Sequence, residues 1–353
     1  NAALLLTENA ALAVTVNTFP MGLLNRIVDL ITKLSPETDV YSLKLQIIEN
    51  CIYGVDIQSI AVQISKLRFF ISLICDCEKD ENKPNFGIPT LPNLETKFVC
   101  ANSLIDKKSE EAQGNLFEDP RIQETKDALI RLREDHFMAK SASQKRRLRE
   151  KDDELRLTLA TLLADNDLAT REDAEQMAKW NPYDQNASSP FFSAEWMFNV
   201  KDGFDIIIGN PPYIQLQNNG GELNKLYAPC GFQSFASTGD IYCLFYERGW
   251  QLLKDNGHLC FITSNKWMRA GYGEKLRTFF ANNTDPKLMI DFGGVKIFES
   301  ATVDTNILLY EKSKNTHHTR CAVTNKQDKD SINNLSVFVQ QQGTFCDFSG
   351  GDS

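Results

Sequence analysis

Residues 204–214 read Phe-Asp-Ile-Ile-Ile-Gly-Asn-Pro-Pro-Tyr-Ile, and the fold prediction starts from this stretch. Its apolar, β-branched run favours a strand, and a continuous apolar run is typical of a strand covered on both faces of a parallel sheet. Two successive prolines cannot donate ladder hydrogen bonds, so the strand must end before them. Because ligands bind beyond the carboxyl ends of strands in open α/β sheets, the sequence predicts a binding loop here.

The predicted loop carries groups that suit a planar ligand with an amino group. The side chain of Asn210 offers a carbonyl acceptor, and Pro211 offers a backbone carbonyl with its φ angle fixed. Two such acceptors suit an exocyclic NH₂ group, and Tyr213 adds a ring on which a base can stack. Asn210, Pro211, Pro212 and Tyr213 are therefore the candidate catalytic residues. A proline turn that only ends a strand is the structural alternative.

A strand–helix unit is predicted upstream of the loop. Residues 52–57 read as a strand ending in an acidic residue, and residues 59–73 read as an apolar helix. In dinucleotide-binding folds, an acidic residue at the end of the second strand accepts hydrogen bonds from ribose hydroxyls. Asp56 is the candidate for this role, and a helix N-cap is its structural alternative.

Two further segments complete the N-terminal half. Residues 97–105 read as a third strand that ends at Asn102 and Ser103. Residues 1–34 read as helical in two parts, and the second part, 21–34, follows Phe19-Pro20, which suits a helix start.

These segments resemble amino-methyltransferases that use S-adenosylmethionine. The N-P-P-Y loop resembles motif IV of that family, and residues 53–57, Tyr-Gly-Val-Asp-Ile, resemble motif II. Residues 240–292 resemble motifs V to VII in order and spacing, and residues 292–310 resemble motif VIII. The chain is similar over residues 19–312 to the N6-adenine DNA methyltransferase domain of a type IIG-like combined restriction–modification enzyme.

The resemblance implies an α/β fold, a Rossmann-like S-adenosylmethionine-dependent methyltransferase. Its central sheet would be mostly parallel with flanking helices, a helical insertion and a terminal β-hairpin around Glu299-Ser300-Ala301. The resemblance further implies that S-adenosyl-L-methionine is the cofactor and that Tyr213 and Phe298 sandwich the target base. The implied cofactor-binding residues are Phe19, Gly22, Asp56, Ile57, Asn102 and Ser103.

Motif I is the one segment that departs from the family pattern of an aspartate and a glycine-rich turn. Its candidate, residues 11–22, ends in the fitting Phe-Pro-Met-Gly. Earlier in this segment Ala11 stands for the aspartate, and Thr15 and Asn17 stand for the glycines that let the cofactor approach the backbone. The cofactor site is therefore degenerate, or residues are absent around positions 14–18.

The motif order predicts four domains or domain parts. Residues 106–200 are rich in charge and read as long surface helices inserted after the third strand. Their basic cluster, 145–149, is interpreted as a solvated helical face, with DNA phosphate contact as the alternative. Residues 215–238 read as a mobile loop near the site. The predicted parts are an N-terminally incomplete cofactor-binding half (1–105), the insertion (106–200), the catalytic half (201–312), and a tail or the start of a target-recognition domain (313–353).

Composition places limits on location and partners. A net charge of −9 disfavours nucleic-acid binding by the chain as a whole and leaves room for local basic patches. Nine cysteines without framework spacing predict reduced thiols in the cytoplasm, and neither Cys75 and Cys77 nor His317 and His318 have metal-site spacing. No run of 18 apolar residues is present, which predicts no membrane span. The abrupt start suggests a piece of a larger protein, with nuclease and target-recognition domains elsewhere in it.

The function predicted from these features is transfer of a methyl group to N6 of a flipped-out adenine in double-stranded DNA, within a restriction–modification system. Two alternatives remain open. The same loop could serve an amino-methyltransferase acting on protein glutamine or RNA. A catalytically silent binding or structural module would account for the poor motif I.

Overall fold

The computed structural model describes residues 12–15, 19–107, 119–298, 303–324 and 331–349. The chain forms two compact units, Asn1–Lys201 and Asp202–Ser353. Within the described residues, no helix is both long and apolar enough to cross a membrane.

Unit 1 has three parallel strands and seven α-helices among its described residues. In chain order these are β1 Leu12–Thr15, α1 Phe19–Leu34, α2 Val40–Asn50, β2 Ile52–Asp56, α3 Ser59–Cys75, β3 Phe98–Cys100, α4 Pro120–Phe137, α5 Ala142–Asp165, α6 Arg171–Lys179 and α7 Ala194–Phe198, with a short 3₁₀ turn at Pro84–Gly87. The strands lie in the order β3-β2-β1, and helices α1 to α3 bury aliphatic and aromatic side chains such as Leu24, Ile48 and Phe69 against them. This parallel arrangement agrees with the predicted sheet.

The helical prediction for residues 1–34 is right for its second part and wrong where its first part is described. Residues 12–15 form a strand that pairs in parallel with β2, with Leu12 beside Ile52 and Thr15 beside Val55. Leu-Ala-Val-Thr is a short apolar run that fits either a helix or a strand, and pairing with a neighbouring strand decides between them. Residues 1–11 and 16–18 lie outside the described part of the chain.

The inserted helices are held together by a buried ion-pair cluster. Asp152 of α5 accepts hydrogen bonds from Arg133 Nε of α4 (3.0 Å) and from Arg156 Nε (2.7 Å), and the side chains of Asp152 and Arg156 have no exposed surface. Burial raises the pKa of Asp152, but the two guanidinium groups outweigh it and leave this pKa below its usual value. Arg156 also donates to the carbonyl of Trp180, the residue that follows α6.

One member of the predicted basic cluster faces inward. Arg149 donates to Glu95 at 3.0 Å, and its guanidinium lies 5.0 Å from the centre of the Tyr183 ring. Arg146 and Arg147 are exposed. The possible DNA contact of this cluster stays a prediction.

Unit 2 is built on a mixed six-stranded sheet. Its described elements are β4 Phe204–Gly209, α8 Asn218–Tyr227, α9 Tyr242–Leu252, β5 Leu253–Ser264, α10 Glu274–Asn283, β6 Asp285–Asp291, β7 Thr305–Glu311, β8 Thr319–Val323, α11 Leu335–Gln342 and β9 Thr344–Cys346, with 3₁₀ turns at Ala228–Cys230, Asn265–Met268, Gly271–Gly273 and Ser331–Asn334. The strand order is β4-β5-β7-β6-β8-β9. The β4–β5 and β6–β8 pairs are parallel, whereas β7 runs antiparallel to both β5 and β6, and β9 antiparallel to β8.

The terminal hairpin forms with a different first strand from the one predicted. Strands β6 and β7 pair in antiparallel fashion, with Ile290 beside Ile307, while residues 292–298 have no regular structure. Gly293 and Gly294 follow β6 with φ angles of +52° and +83°, a backbone that cannot continue a strand. The predicted turn, residues 299–302, lies outside the described residues.

Residues 215–238 contain more regular structure than the loop that their composition predicted, and their mobility stays a prediction. They contain α8, whose first turn has left-handed backbone at Asn219, Gly220 and Gly221, and a 3₁₀ turn. The carboxylate of Glu247 then accepts backbone hydrogen bonds from Gln233 (3.0 Å) and Ser234 (2.7 Å). A buried acceptor on α9 therefore fixes the end of this segment, which composition does not reveal.

The C-terminal residues join the sheet of unit 2. Strand β8 lies parallel to β6, and β9 extends the sheet beyond β8. His317 contacts the Asp347 carboxylate at 2.8 Å, and His318 stacks on Phe345 with ring centres 3.9 Å apart. How residues 313–353 divide between the methyltransferase domain and a target-recognition domain stays a prediction.

Candidate functional site

The N-P-P-Y loop lies at the carboxyl end of β4, as predicted. Phe204 and Ile207 of this strand are buried, and Gly209 pairs with Phe261 of the parallel strand β5. Beyond Gly209 the backbone leaves the sheet, with Pro211 buried and Pro212 exposed. The loop thus begins where β4 ends its parallel pairing with β5.

Two of the candidate catalytic residues contact each other directly. The Tyr213 hydroxyl lies 2.7 Å from Asn210 Oδ1, to which it donates, and 3.3 Å from the carbonyl oxygen of Ile262 on β5. Burial raises the pKa of Tyr213 to about 12, so the hydroxyl keeps its proton at neutral pH. Because a carbonyl oxygen accepts and a neutral hydroxyl donates, this contact orients the Asn210 side chain by its oxygen.

The ring of Tyr213 is supported from one side. It meets the buried ring of Tyr242 edge-to-face, with centres 6.2 Å apart and planes at 87°. Phe298, the predicted second stacking ring, is partly buried and is the last described residue before the 299–302 gap. The sandwiching of a base between Tyr213 and Phe298 stays a prediction.

The neighbourhood contains residues that sequence reasoning missed. The hydroxyl of Tyr242 lies 2.9 Å from that of Tyr272, and Tyr272 donates to Asp240 at 2.7 Å. On the adjacent strands, the fully buried Asn306 accepts hydrogen bonds through Oδ1 from Thr263 (3.1 Å) and Trp267 (3.2 Å). All but Asn306 lie within residues 240–292, which resemble motifs V to VII, but sequence reasoning assigned none of them a role because only the folded chain brings them into contact.

Asp56, in unit 1, ends β2 as predicted. Its Oδ1 accepts the backbone hydrogen bond of Gln58 at 2.8 Å, and its own carbonyl accepts from Ala101 at 2.8 Å. The N-cap position of α3 is held by Gln58 rather than by Asp56. Burial raises the pKa of Asp56 in spite of the backbone N–H groups of Gln58 and Ile57, which lower it.

The end of β3 lies beside that of β2, where Asp56 pairs with Cys100. Asn102 follows, is buried, and accepts from the Leu104 N–H at 3.2 Å. Ile57, next to the carboxylate, is 57% exposed. A carboxylate beside an exposed aliphatic group fits a nucleoside, since the first suits ribose hydroxyls and the second an adenine face. The roles of Ile57, Asn102 and Ser103 stay predictions.

The predicted methionine side of the cofactor site is only partly described. Helix α1 begins at Phe19, and Gly22 in its first turn is exposed, with no atom within 4 Å of where a Cβ would lie. Thr15 is the last residue of β1, whereas Ala11 and Asn17 lie outside the described residues. Among the described residues, no group of three or more His, Cys, Asp or Glu side chains is arranged to hold a metal ion.

The candidate loop and strand ends fall within a region that matches a known family. The model of the Eco57I restriction-modification methylase family matches residues 50–298. A solved structure of similar fold is the ATP-dependent Type ISP restriction-modification enzyme LlaBIII bound to DNA, with a TM-score of 0.51, 12% identity, and coverage of 97% of this chain and 20% of that one.

Curated relatives are much longer than this chain. The type II restriction enzyme and methyltransferase RM.Eco57I of Escherichia coli is 33% identical over 115 residues, 31% of this chain and 11% of that protein. A relative from Methanocaldococcus jannaschii, named as a type II restriction enzyme and methyltransferase with putative status, is 26% identical over 330 residues, 79% of this chain and 27% of that protein. The family match covers well over half of the chain, which therefore belongs to the Eco57I restriction-modification methylase family.

Proposed function

We propose that this chain is the methyltransferase part of a restriction–modification enzyme and that it methylates N6 of adenine in double-stranded DNA. The observation that carries the proposal is the contact between Asn210 and Tyr213 at the carboxyl end of β4. It combines an oriented amide with a partly exposed aromatic ring, which suits a planar base bearing an amino group. Relatives of the chain include the type II methyltransferases M.BstVI and M.PaeR7I.

The proposed chemistry relies on positioning. Adenine inside a duplex cannot reach such a loop, so the base is flipped out of the helix. Tyr213 stacks on the flipped base, while Asn210 and the carbonyl of Pro211 accept the N6 hydrogens and turn the nitrogen lone pair toward the methyl group. Hydrogen bonds that strengthen as the amino nitrogen becomes tetrahedral lower the barrier.

The cofactor that fits this role is S-adenosyl-L-methionine, which supplies an electrophilic methyl group when bound. Asp56 would accept hydrogen bonds from its ribose, and Ile57 would pack on its adenine ring. Asn102, Ser103, Phe19 and Gly22 complete the proposed binding set. Nuclease and target-recognition functions would reside in further domains of the same protein, since the chain spans between 11% and 27% of the two combined enzymes described above.

The proposal predicts that Asn210→Ala abolishes methyl transfer to duplex DNA containing the recognition site while DNA binding survives. Loss of the oriented acceptor removes stabilisation that is needed in the transition state, and we expect the rate to fall by at least about 100-fold. The measurement is transfer of labelled methyl groups, with detection of N6-methyladenine in the product.

Asn181→Ala is the matched control. Asn181-Pro182-Tyr183 has a similar sequence, but Asn181 is exposed and its Oδ1 accepts from the Tyr183 N–H at 2.9 Å. This variant should retain normal turnover. Substantial turnover by Asn210→Ala, or methylation of RNA or protein glutamine in place of DNA, would contradict the proposal.

A further inference from the structure

Two sets of contacts join the N-P-P-Y loop and the residues just after it to residues 239–242, where α9 begins. Through the backbone, Ile241 donates to the Ile214 carbonyl and Leu216 donates to the Gly239 carbonyl, each at 2.9 Å. These bonds flank an antiparallel bridge between Gln215 and Asp240. They fix the path of the chain just after Tyr213.

The second set of contacts runs through side chains. Tyr213 meets the edge of Tyr242, the Tyr242 hydroxyl lies 2.9 Å from that of Tyr272, and Tyr272 donates to Asp240 Oδ2 at 2.7 Å. Since the Tyr272 hydroxyl donates its one hydrogen to Asp240, its oxygen is left to accept from the Tyr242 hydroxyl. The two sets of contacts together form a closed circuit of five residues: Tyr213, Tyr242, Tyr272, Asp240 and Gln215.

Burial makes this circuit rigid. Tyr242 is completely buried, and Asp240 is 7% exposed. Burial is also the main cause that raises the pKa of both Tyr242 and Tyr272, so each hydroxyl remains protonated and able to donate at neutral pH. A buried ring whose hydroxyl is held at the far end has little freedom to turn beneath Tyr213.

We propose that Tyr242 and Tyr272 are positioning residues that hold the Tyr213 ring in the orientation needed for base stacking, with Asp240 as their anchor. None of the three touches the reacting atoms in this scheme. Their effect on catalysis rests on the proposed function, whereas their effect on the loop itself does not. A displacement of about 1 Å at a reacting group can cost about 100-fold in rate, so a hydroxyl remote from the base can control turnover.

Tyr272→Phe tests the inference because it removes one hydroxyl and keeps the ring. We expect kcat for DNA methylation to fall about 10- to 100-fold, with KM for DNA within about twofold of its original value. Hydrogen exchange at the Leu216 and Ile241 amides should accelerate. Tyr310→Phe is the control, since the hydroxyl of the fully buried Tyr310, like that of Tyr272, donates to an oxygen, here the carbonyl of Tyr246 at 2.7 Å. This control should change neither the kcat nor the exchange of those two amides.

Tyr242→Phe breaks the same hydrogen bond from its other end and takes the place of Tyr272→Phe if that variant does not fold. Where both fold, the double variant should lose no more of kcat than Tyr272→Phe alone. That single variant already removes the bond between the two hydroxyls as well as the bond to Asp240, so Tyr242→Phe breaks nothing further. Losses that multiply, or normal kcat with unchanged amide exchange, would overturn the inference. If the unaltered protein does not methylate DNA, the proposed function fails, and amide exchange alone decides the role of the circuit.

Discussion

Tyr213 contributes both a hydrogen-bonding hydroxyl and an aromatic ring to the candidate site. Its hydroxyl donates to Asn210 Oδ1, and its ring packs against the edge of Tyr242. The hydroxyl can donate only while it is protonated, and burial supports that state by raising the pKa of Tyr213 to about 12. The same residue therefore orients the amide and presents a ring for stacking.

A titration of tyrosinate absorbance would test this at the residue scale. Without a shift, about three-quarters of a tyrosine is ionised at pH 10.5, whereas a pKa of about 12 leaves nearly all of it neutral. The difference between the unaltered protein and Tyr213→Phe should therefore show no ionisation of Tyr213 by pH 10.5. A full tyrosinate signal in that difference by pH 10.5 would contradict the prediction.

The raised pKa also has a consequence for stability. Between pH 10 and pH 12, the folded state keeps a proton on Tyr213 that the unfolded chain has lost. The stability that this proton contributes is fully present below pH 10 and is lost as the pH rises toward 12. Tyr213→Phe should therefore flatten the fall of the free energy of unfolding in that range.

At the scale of elements, the turn Gly271–Gly273 positions Tyr272 and begins α10. Arg277 of that helix donates to the carbonyls of Trp267 (2.7 Å) and Ala270 (3.2 Å), which ties the turn to the helix. A Cβ at Gly273 would lie 1.9 Å from the carbonyl oxygen of Trp267, so only glycine fits this close approach. Gly271 has no atom within 4 Å of the corresponding position.

Gly273→Ala and Gly271→Ala form a matched pair of variants. The first requires movement of backbone atoms, and we expect it to lower the free energy of unfolding by about 3 kcal/mol and to reduce methyl transfer as the turn shifts. The second adds the same methyl group in open space and should change the free energy of unfolding by less than about 0.5 kcal/mol. Chemical denaturation measures both, and similar losses for the two variants would show that the approach to Trp267 is unimportant.

At the scale of the whole molecule, the proposed tasks divide between the two units. Asp56 and Asn102 at the ends of β2 and β3 belong to unit 1, whereas the N-P-P-Y loop and its supporting circuit belong to unit 2. Cofactor binding and base recognition should therefore be separable by single substitutions.

Thermal unfolding in the presence of S-adenosyl-L-methionine tests this division. A ligand at 100 times its dissociation constant stabilises a folded protein by about 2.7 kcal/mol, which raises the Tm. Asp56→Ala should abolish the rise in Tm because it removes the proposed ribose acceptor, while Asn210→Ala should retain it. Absence of any rise in the unaltered chain would favour a degenerate cofactor site, the alternative suggested by Thr15 and Asn17.

Sequence by itself determined the features that depend on neighbouring residues. The apolar run before Asn210 indicated β4, the two prolines marked its end, and the acidic residue after 52–55 placed Asp56 at a strand terminus. These predictions succeed because strand propensity and the missing proline N–H act within a few residues. The order of such segments was also enough to identify the family.

Only the tertiary structure decided what lies around the loop. Strand β1 was recognisable only from its pairing with β2. The first strand of the hairpin is β6, which ends before residue 292, because two glycines with left-handed backbone follow it. Tyr272 meets Asp240 across 32 residues and Tyr242 across 30 residues. No local pattern encodes such contacts, because their geometry depends on how α9 and the turn before α10 pack, and packing is a property of the folded chain as a whole.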